Sequence, residues 1–355
     1  MKKLNLSSAL AVAAIALAAC TNGQQTQEPQ GLVIEKQGIF ASGGHITDAI
    51  PGDYDPTQNW MDPERKGTTN HVDHANTFYQ IPAGEQGMPM VFLHGYGQTR
   101  TGWQATPDGR EGWADLFLKK GHPVFLVDQP RRGEAGATEN IVTDPGDVAD
   151  GKFKVGEQAW YTHFRIGRVA PERYEGSQFP EGEEAQRQFF CQMTPSTGNY
   201  DEALFGEALS SVLSDVKKMT GKKSIYVTHS QGGRVGWATD TENMAAVIAV
   251  EPGFGPQLGS DTYKKFVDAK VPMLFLFGDY IENGPEDIHS TGFWKAVLQQ
   301  CRDFAQQYNA DGGDATVIYL PDENIHGNSH FMFQEKNNAE IADLISSWLE
   351  KHNLK

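Results

Sequence analysis

The chain has 355 residues, thirty basic against forty-six acidic, and a formal charge of −16 at pH 7. So strong an acidic excess excludes a binder of phosphate backbones, which needs clustered Lys and Arg, and a polybasic membrane-surface protein. The length suffices for one large core or two ordinary ones, and the supply of apolar and aromatic residues excludes general disorder.

The N-terminus reads as a leader. Lys2 and Lys3 make a short positive start, and Ala9 to Ala19 is an apolar run too short to span a bilayer. It ends Leu17-Ala18-Ala19-Cys20, which resembles the lipobox of bacterial lipoproteins; the alternative is a plain secretory signal peptide. The resemblance implies cleavage after residue 19, acylation of Cys20 and a lipid anchor in the bacterial cell envelope. Thr21, where an Asp is the usual inner-membrane retention signal, implies the outer membrane. Residues 20–30 are polar and Gln-rich, a flexible tether. Removing the leader takes two lysines and no acids, so the charge moves from −16 to −18.

From residue 31 to 355, short β-type runs alternate with helical patterns, and no internal repeat interrupts them. This predicts one α/β domain with a mostly parallel sheet flanked by helices. Early strands are expected at Leu32–Phe40 and Thr77–Ile81. Apolar runs suited to buried strands follow at Met90–Leu93, Pro123–Val127, Ser224–Val227, Ala245–Val250, Met273–Phe277 and Ala315–Leu320. Leu204, Phe205, Ala208, Leu209, Val212, Leu213, Val216 and Met219 share one helix face, with Gly221 as the stop. Ile341, Leu344, Ile345, Trp348 and Leu349 mark a C-terminal helix. Between about 131 and 200 the rhythm breaks into an irregular stretch rich in Gly, Pro, charge and aromatics. It reads as a cap insertion over the strand ends or as a decorated surface loop. Cys191 and Cys301 either pair in an oxidising compartment or stay free, since Cys301 sits on an apolar stripe with Trp294, Val297, Leu298 and Phe304.

The most informative segment runs Ser224-Ile225-Tyr226-Val227-Thr228-His229-Ser230-Gln231-Gly232-Gly233. An apolar strand enters a tight turn carrying one Ser, then small residues and a helical pattern. That is the setting of a nucleophile elbow, although Thr228 stands where Gly is usual. Val91-Phe92-Leu93-His94-Gly95-Tyr96-Gly97 places a His-Gly turn after an earlier strand. Its position suits an oxyanion loop, with the N–H groups of Tyr96 and Gln231 as donors and His94 as a loop-positioning residue. A base for Ser230 is expected in Asn324-Ile325-His326-Gly327-Asn328-Ser329-His330, where His330 is favoured over His326. Two carboxylates compete as the third member: Glu251 in Val-Glu-Pro-Gly, and Asp279 in Phe-Gly-Asp-Tyr, each directly after a strand.

Together these segments resemble α/β-hydrolase-fold esterases from about Val72 to the C-terminus. More narrowly, the chain is similar to a bacterial esterase subgroup with a glutamate triad acid after the sixth strand. The matching motifs are Thr106-Pro107-Asp108-Gly109-Arg110-Glu111-Gly112-Trp113, Asp128-Gln129-Pro130 with Arg132-Gly133, His229-Ser230-Gln231-Gly232, Glu251-Pro252-Gly253, Phe277-Gly278-Asp279, and Gly327-Asn328-Ser329-His330 with Asn337-Asn338. The resemblance implies Ser230 as nucleophile, His330 as base and Glu251 as acid, with Asp279 the alternative. A well-known member carries two adjacent cysteines in the oxyanion loop; Tyr96 and Gly97 stand there, so no property of that pair carries over.

Other chemistries are weaker. His45, His71, Asp73 and His74 could cluster, but in a strand His71 and Asp73 face one way and His74 the other, so no metal site is specified. Asp144, Asp147 and Asp150 suggest calcium only faintly, without the EF-hand pattern. No GxGxxG or P-loop appears. The expectation is a serine hydrolase of carboxylic esters that uses an acyl-enzyme, needs no cofactor or metal and takes small, partly apolar esters. It meets a membrane only through its lipid anchor and binds no nucleic acid. The alternatives are an acyltransferase or thioesterase on the same fold, or a non-catalytic binding lipoprotein of the envelope.

Overall fold

Apolar runs of four to seven residues, with Val, Ile and Phe prominent, cannot leave either face in water, and they build the centre of a sheet covered on both sides. In the computed structural model, which describes residues 31–62, 64–139, 148–149, 152–153 and 156–355, these runs are β3 (Met90–Leu93), β4 (Val124–Asp128), β7 (Ser224–His229), β8 (Met244–Val250) and β9 (Met273–Phe277). Almost every residue in them is buried. Two longer strands precede them, β1 (Ile34–Ile50) and β2 (Thr68–Pro82), and β10 (Ala315–Tyr319) follows. The order across the eight-stranded sheet is β1-β2-β4-β3-β7-β8-β9-β10. β2 runs antiparallel to both neighbours; the pairs from β4 through β10 are parallel. A small antiparallel hairpin joins β5 (Val148–Ala149) to β6 (Lys152–Phe153). Val33 to Lys355 forms one compact unit, and the expected leader, tether and Cys20 lie outside the described residues.

The helices are α1 (Trp113–Lys119), α2 (Glu157–His163), α3 (Glu183–Cys191), α4 (Glu202–Thr220), α5 (Gln231–Ala238), α6 (Asp261–Ala269), α7 (His289–Ala310) and α8 (Asn338–Lys351). The apolar face read for α4 is buried from Phe205 to Val216. Asp201 caps its first turn by accepting the Leu204 N–H, and Gly221 ends it in the left-handed conformation, φ 73°. α2, α3 and the β5–β6 hairpin all lie in the excursion between β4 and α4.

β1 and β2 run well beyond the expected Leu32–Phe40 and Thr77–Ile81. Their outer halves are polar and pair chiefly with each other, so no apolar run marks them. The expected alternation at His71-Val72-Asp73-His74 also fails. Asp73 takes a left-handed φ of 56°, is buried, and receives a two-pronged bond from Arg131 at 2.9 and 3.0 Å, while His71 is exposed. His45 pairs with Glu139 instead. Among the faint calcium candidates, Asp144, Asp147 and Asp150 fall outside the described residues. Cys191 is exposed and Cys301 buried, and both are free thiols, so the pairing alternative does not hold.

Candidate active site

The site begins where β7 meets α5. Ser230 stands between them with φ 52° and ψ −121°, a conformation that costs a non-glycine residue about 1–3 kcal/mol and persists only where its surroundings enforce it. The enforcing contacts are visible. Ser230 N–H donates to the Val250 carbonyl, and the Ser230 carbonyl accepts from Gly233 and Gly253. A Cβ on Gly232 would lie 2.5 Å from the His94 carbonyl oxygen, and one on Gly233 would lie 2.6 Å from Pro252 Cβ. The small residues after Ser230 therefore let α5 sit against two neighbouring loops.

His330 and Glu251 meet from different parts of the chain. Glu251 leaves β8, the sixth strand across the sheet, with a left-handed φ of 42°. His330 Nδ1–H donates to Glu251 Oε2 at 2.6 Å, and both side chains are wholly buried. The other carboxylate oxygen, Oε1, accepts the Gly278 N–H at 2.7 Å and a bond from Arg165 Nη2. Burial pushes the Glu251 carboxyl up, but the Arg165 charge and the His330 contact outweigh it and hold the carboxyl well below its ordinary range. Burial lowers the His330 imidazole, opposed by Glu251. With Nδ1 committed to Glu251, His330 Nε2 is the basic nitrogen, and it is buried without a hydrogen-bond partner among the described residues.

Aromatic rings fix the imidazole. Phe164 stacks on it at 4.6 Å and 9°, and Trp294 lies 4.5 Å away. His229, the residue before Ser230, has its ring 4.4 Å from that of His330, and its Nε2–H donates to the His330 carbonyl at 3.0 Å. Burial pushes His229 far below its ordinary range, so it serves this contact as a neutral ring.

Asp279 lies close by but is otherwise engaged. Its Oδ2 accepts the Gly327 N–H at 2.8 Å and its Oδ1 the Tyr280 N–H at 2.6 Å. His326 is largely exposed, 3.6 Å from Asp279 and away from the Glu251–His330 pair. The loop around His330 is braced from below. Glu335 accepts the Ser329 N–H and the Asn328 side-chain amide, and Asn337 and Asn328 bond reciprocally. Arg110 grips the backbone carbonyls of Glu335 and Lys336 while Asp108 holds its guanidinium, and Trp113 Nε1–H donates to the Asn338 carbonyl. The Thr106–Trp113 and Asn337-Asn338 motifs are thus two halves of one clamp.

The loop after β3 approaches Ser230 from the other side. A Cβ on Gly95 would lie 2.8 Å from Ser230 Cβ, which puts Tyr96 next to the elbow, while Gln231 opens α5. His94 is buried. Its Nδ1–H donates to the Gly95 carbonyl and its Nε2 accepts the Gln129 N–H, a brace within the loop; burial lowers it to about 4. Trp160 roofs this loop, stacking on Phe331 at 5.6 Å and 7°. A Cβ on Gly97 would lie 2.4 Å from its ring.

No family model matches the sequence. The chain is similar to a bacterial esterase of known structure, with a TM-score of 0.74 and 29% identity, over 91% of this chain and 98% of that one. The fold is that of the α/β hydrolases. A probable secreted lipase of a fungal species is 24% identical over 319 residues, 75% of this chain and 82% of the lipase. Within this fold, the ends of the central strands bring Ser230, Glu251 and the loops that carry His330 and Tyr96 to one edge of the sheet, whereas nothing in the sequence pattern pointed to Arg165 or Glu335. Neither lies in a strand-end turn, where the reading looked. Arg165 sits in the irregular excursion, and Glu335 beyond the histidine loop; only the fold brings them in.

Proposed function

We propose that this α/β hydrolase cleaves carboxylic esters through Ser230, His330 and Glu251. His330 Nε2 takes the Ser230 proton as Oγ attacks the ester carbonyl. The N–H groups of Tyr96 and Gln231 stabilise the oxyanion. The imidazolium, steadied by Glu251, gives its proton to the departing alcohol oxygen as the C–O bond breaks. Water then attacks the acyl-enzyme by the same route and releases the acid. The observation that carries this reading is the 2.6 Å contact of His330 with Glu251, which leaves Nε2 as the basic nitrogen of a ring 4.4 Å from that of His229, the residue before Ser230. Similarity to an esterase and to a secreted lipase supports the substrate class and export. The excursion 131–200 acts as a cap, and its Trp160, Phe164 and Phe189, packed with Phe331, give the site an apolar wall suited to a partly apolar ester. Anchoring through an acylated Cys20 in the outer membrane belongs to the same proposal, resting on the leader sequence alone.

Covalent labelling by a fluorophosphonate tests the reading. Wild-type protein labels at Ser230, and Ser230→Ala abolishes both label and ester turnover. No labelling of native protein favours the binding-lipoprotein alternative. A panel of esters with graded acyl length defines the substrate, and product analysis with added alcohol separates hydrolysis from acyl transfer.

A further inference from the structure

Glu251 is a carboxylate buried to 0% exposure, with one more methylene to order than an Asp. An ion in that position needs compensation, or it takes up a proton. The compensation comes from the cap. Arg165, itself 2% exposed at the side chain, bonds Glu251 Oε1 through Nη2 and the Asp279 carbonyl through Nε at 3.0 Å. Its guanidinium lies 4.9 Å from the centre of the Trp294 ring. Its backbone is left-handed, φ 63°, which turns the side chain inward from the segment after α2. The preceding residue, Phe164, stacks on His330 and accepts the His330 N–H at 3.1 Å. Two consecutive cap residues thus hold both the imidazole and the carboxylate.

We propose that Arg165 is a positioning residue for the Glu251–His330 pair: the cap supplies the counter-charge that keeps Glu251 ionised and sets the pH above which His330 acts as a base. The proposal rests on the Ser-His-Glu reading above. The groups facing His330 are Glu251 after β8, Arg165 after α2, His229 at the end of β7 and His163 on α2. Glu335 lies under the loop, where the Glu251 charge adds to the burial that raises its carboxyl. Burial keeps His229 and His163 neutral near pH 7, so Arg165 is the cation among them. Removing it raises the proton affinity of His330, of Glu251 or of both, because each then feels one positive charge fewer. In every case the active protonation state forms at higher pH.

The test compares full-length wild type, Arg165→Met and Arg165→Lys by the pH dependence of kcat/KM on a soluble ester. Arg165→Met is expected to lose about 10–100-fold at neutral pH and to move the ascending limb up by about one pH unit. Arg165→Lys restores the limb because it keeps the charge. A lower kcat/KM with an unmoved limb in Arg165→Met means a packing role only and overturns the proposal. If Arg165→Met does not fold, the double variant Glu251→Gln/Arg165→Met decides. Recovery of folding, measured by circular dichroism, shows that the stranded carboxylate was the fault; continued unfolding shows that Arg165 is needed irrespective of Glu251 and overturns the proposal. Failure of wild type to label at Ser230 counts against the ester-hydrolase reading and is distinct from either result.

Discussion

Asp279 Oδ2 accepts the Gly327 N–H at 2.8 Å, so this carboxylate holds the loop that carries His330 rather than His330 itself. The two candidate acids therefore separate by experiment. Glu251→Gln removes the charge facing the imidazolium and is expected to cut kcat/KM by about 10³–10⁴-fold. Asp279→Asn keeps a carbonyl oxygen to accept one backbone bond, and its expected loss is less than about tenfold, mostly through stability. Steady-state kinetics on the two folded variants check this; the opposite order returns the acid role to Asp279.

The close approach of α5 to the loop after β3 predicts a steric effect. A methyl group on Gly232 meets backbone, the His94 carbonyl oxygen at 2.5 Å, which cannot swing away. Gly232→Ala is expected to lose about 1–3 kcal/mol of stability. Gly292, inside α7 with open space around it, is the control: Gly292→Ala should be neutral or gain about 0.5–1 kcal/mol. Denaturant unfolding of both variants measures the contrast, and equal losses would remove the steric explanation.

Glu335 is expected to make stability depend on pH. Burial pushes its carboxyl up to about 7, against the pull of the Ser329 and Asn328 donors. The folded protein then keeps a proton that the unfolded chain releases at the ordinary 4.5. Its contribution is full below that value and is lost as pH rises through about 7. Glu335→Gln, which cannot ionise, should flatten the fall in unfolding free energy across this window. A wild-type slope that survives the substitution assigns the titration to another group.

The two thiols should differ sharply in reactivity. Burial pushes Cys301 up to about 12 and shields it within α7, whereas Cys191 is exposed at the end of α3. Maleimide treatment of the native protein followed by peptide mapping should mark Cys191 and spare Cys301 until denaturant is added. Equal rates in the native state would contradict the burial of Cys301.

Most of the sheet was legible because its central strands are buried on both faces and so are written as short apolar runs; Met90–Leu93 and Met273–Phe277 match residue for residue. The outer halves of β1 and β2 were not, because a polar two-stranded ribbon carries no such signature. At the site, Ser230, Glu251 and His330 each follow a strand or its loop, so topology alone brings them to one edge. Arg165 was hidden for the opposite reason. Its position depends on the path of an irregular segment, and nothing periodic in the sequence encodes where a single left-handed residue will turn a guanidinium inward.

The adjacency of Phe164 and Arg165 bears on how such an enzyme could be re-engineered. Caps of hydrolases invite exchange as interchangeable roofs that choose the substrate. In this chain the excursion proposed as the cap also supplies the ring stacked on His330 and the guanidinium bonded to Glu251. A transplanted cap would bring new specificity and at the same stroke leave Glu251 without its cation and His330 without its stacking ring. If the proposed roles of Arg165 and of this segment hold, substrate range and chemical competence are inherited together, and a graft has to replace the guanidinium as well.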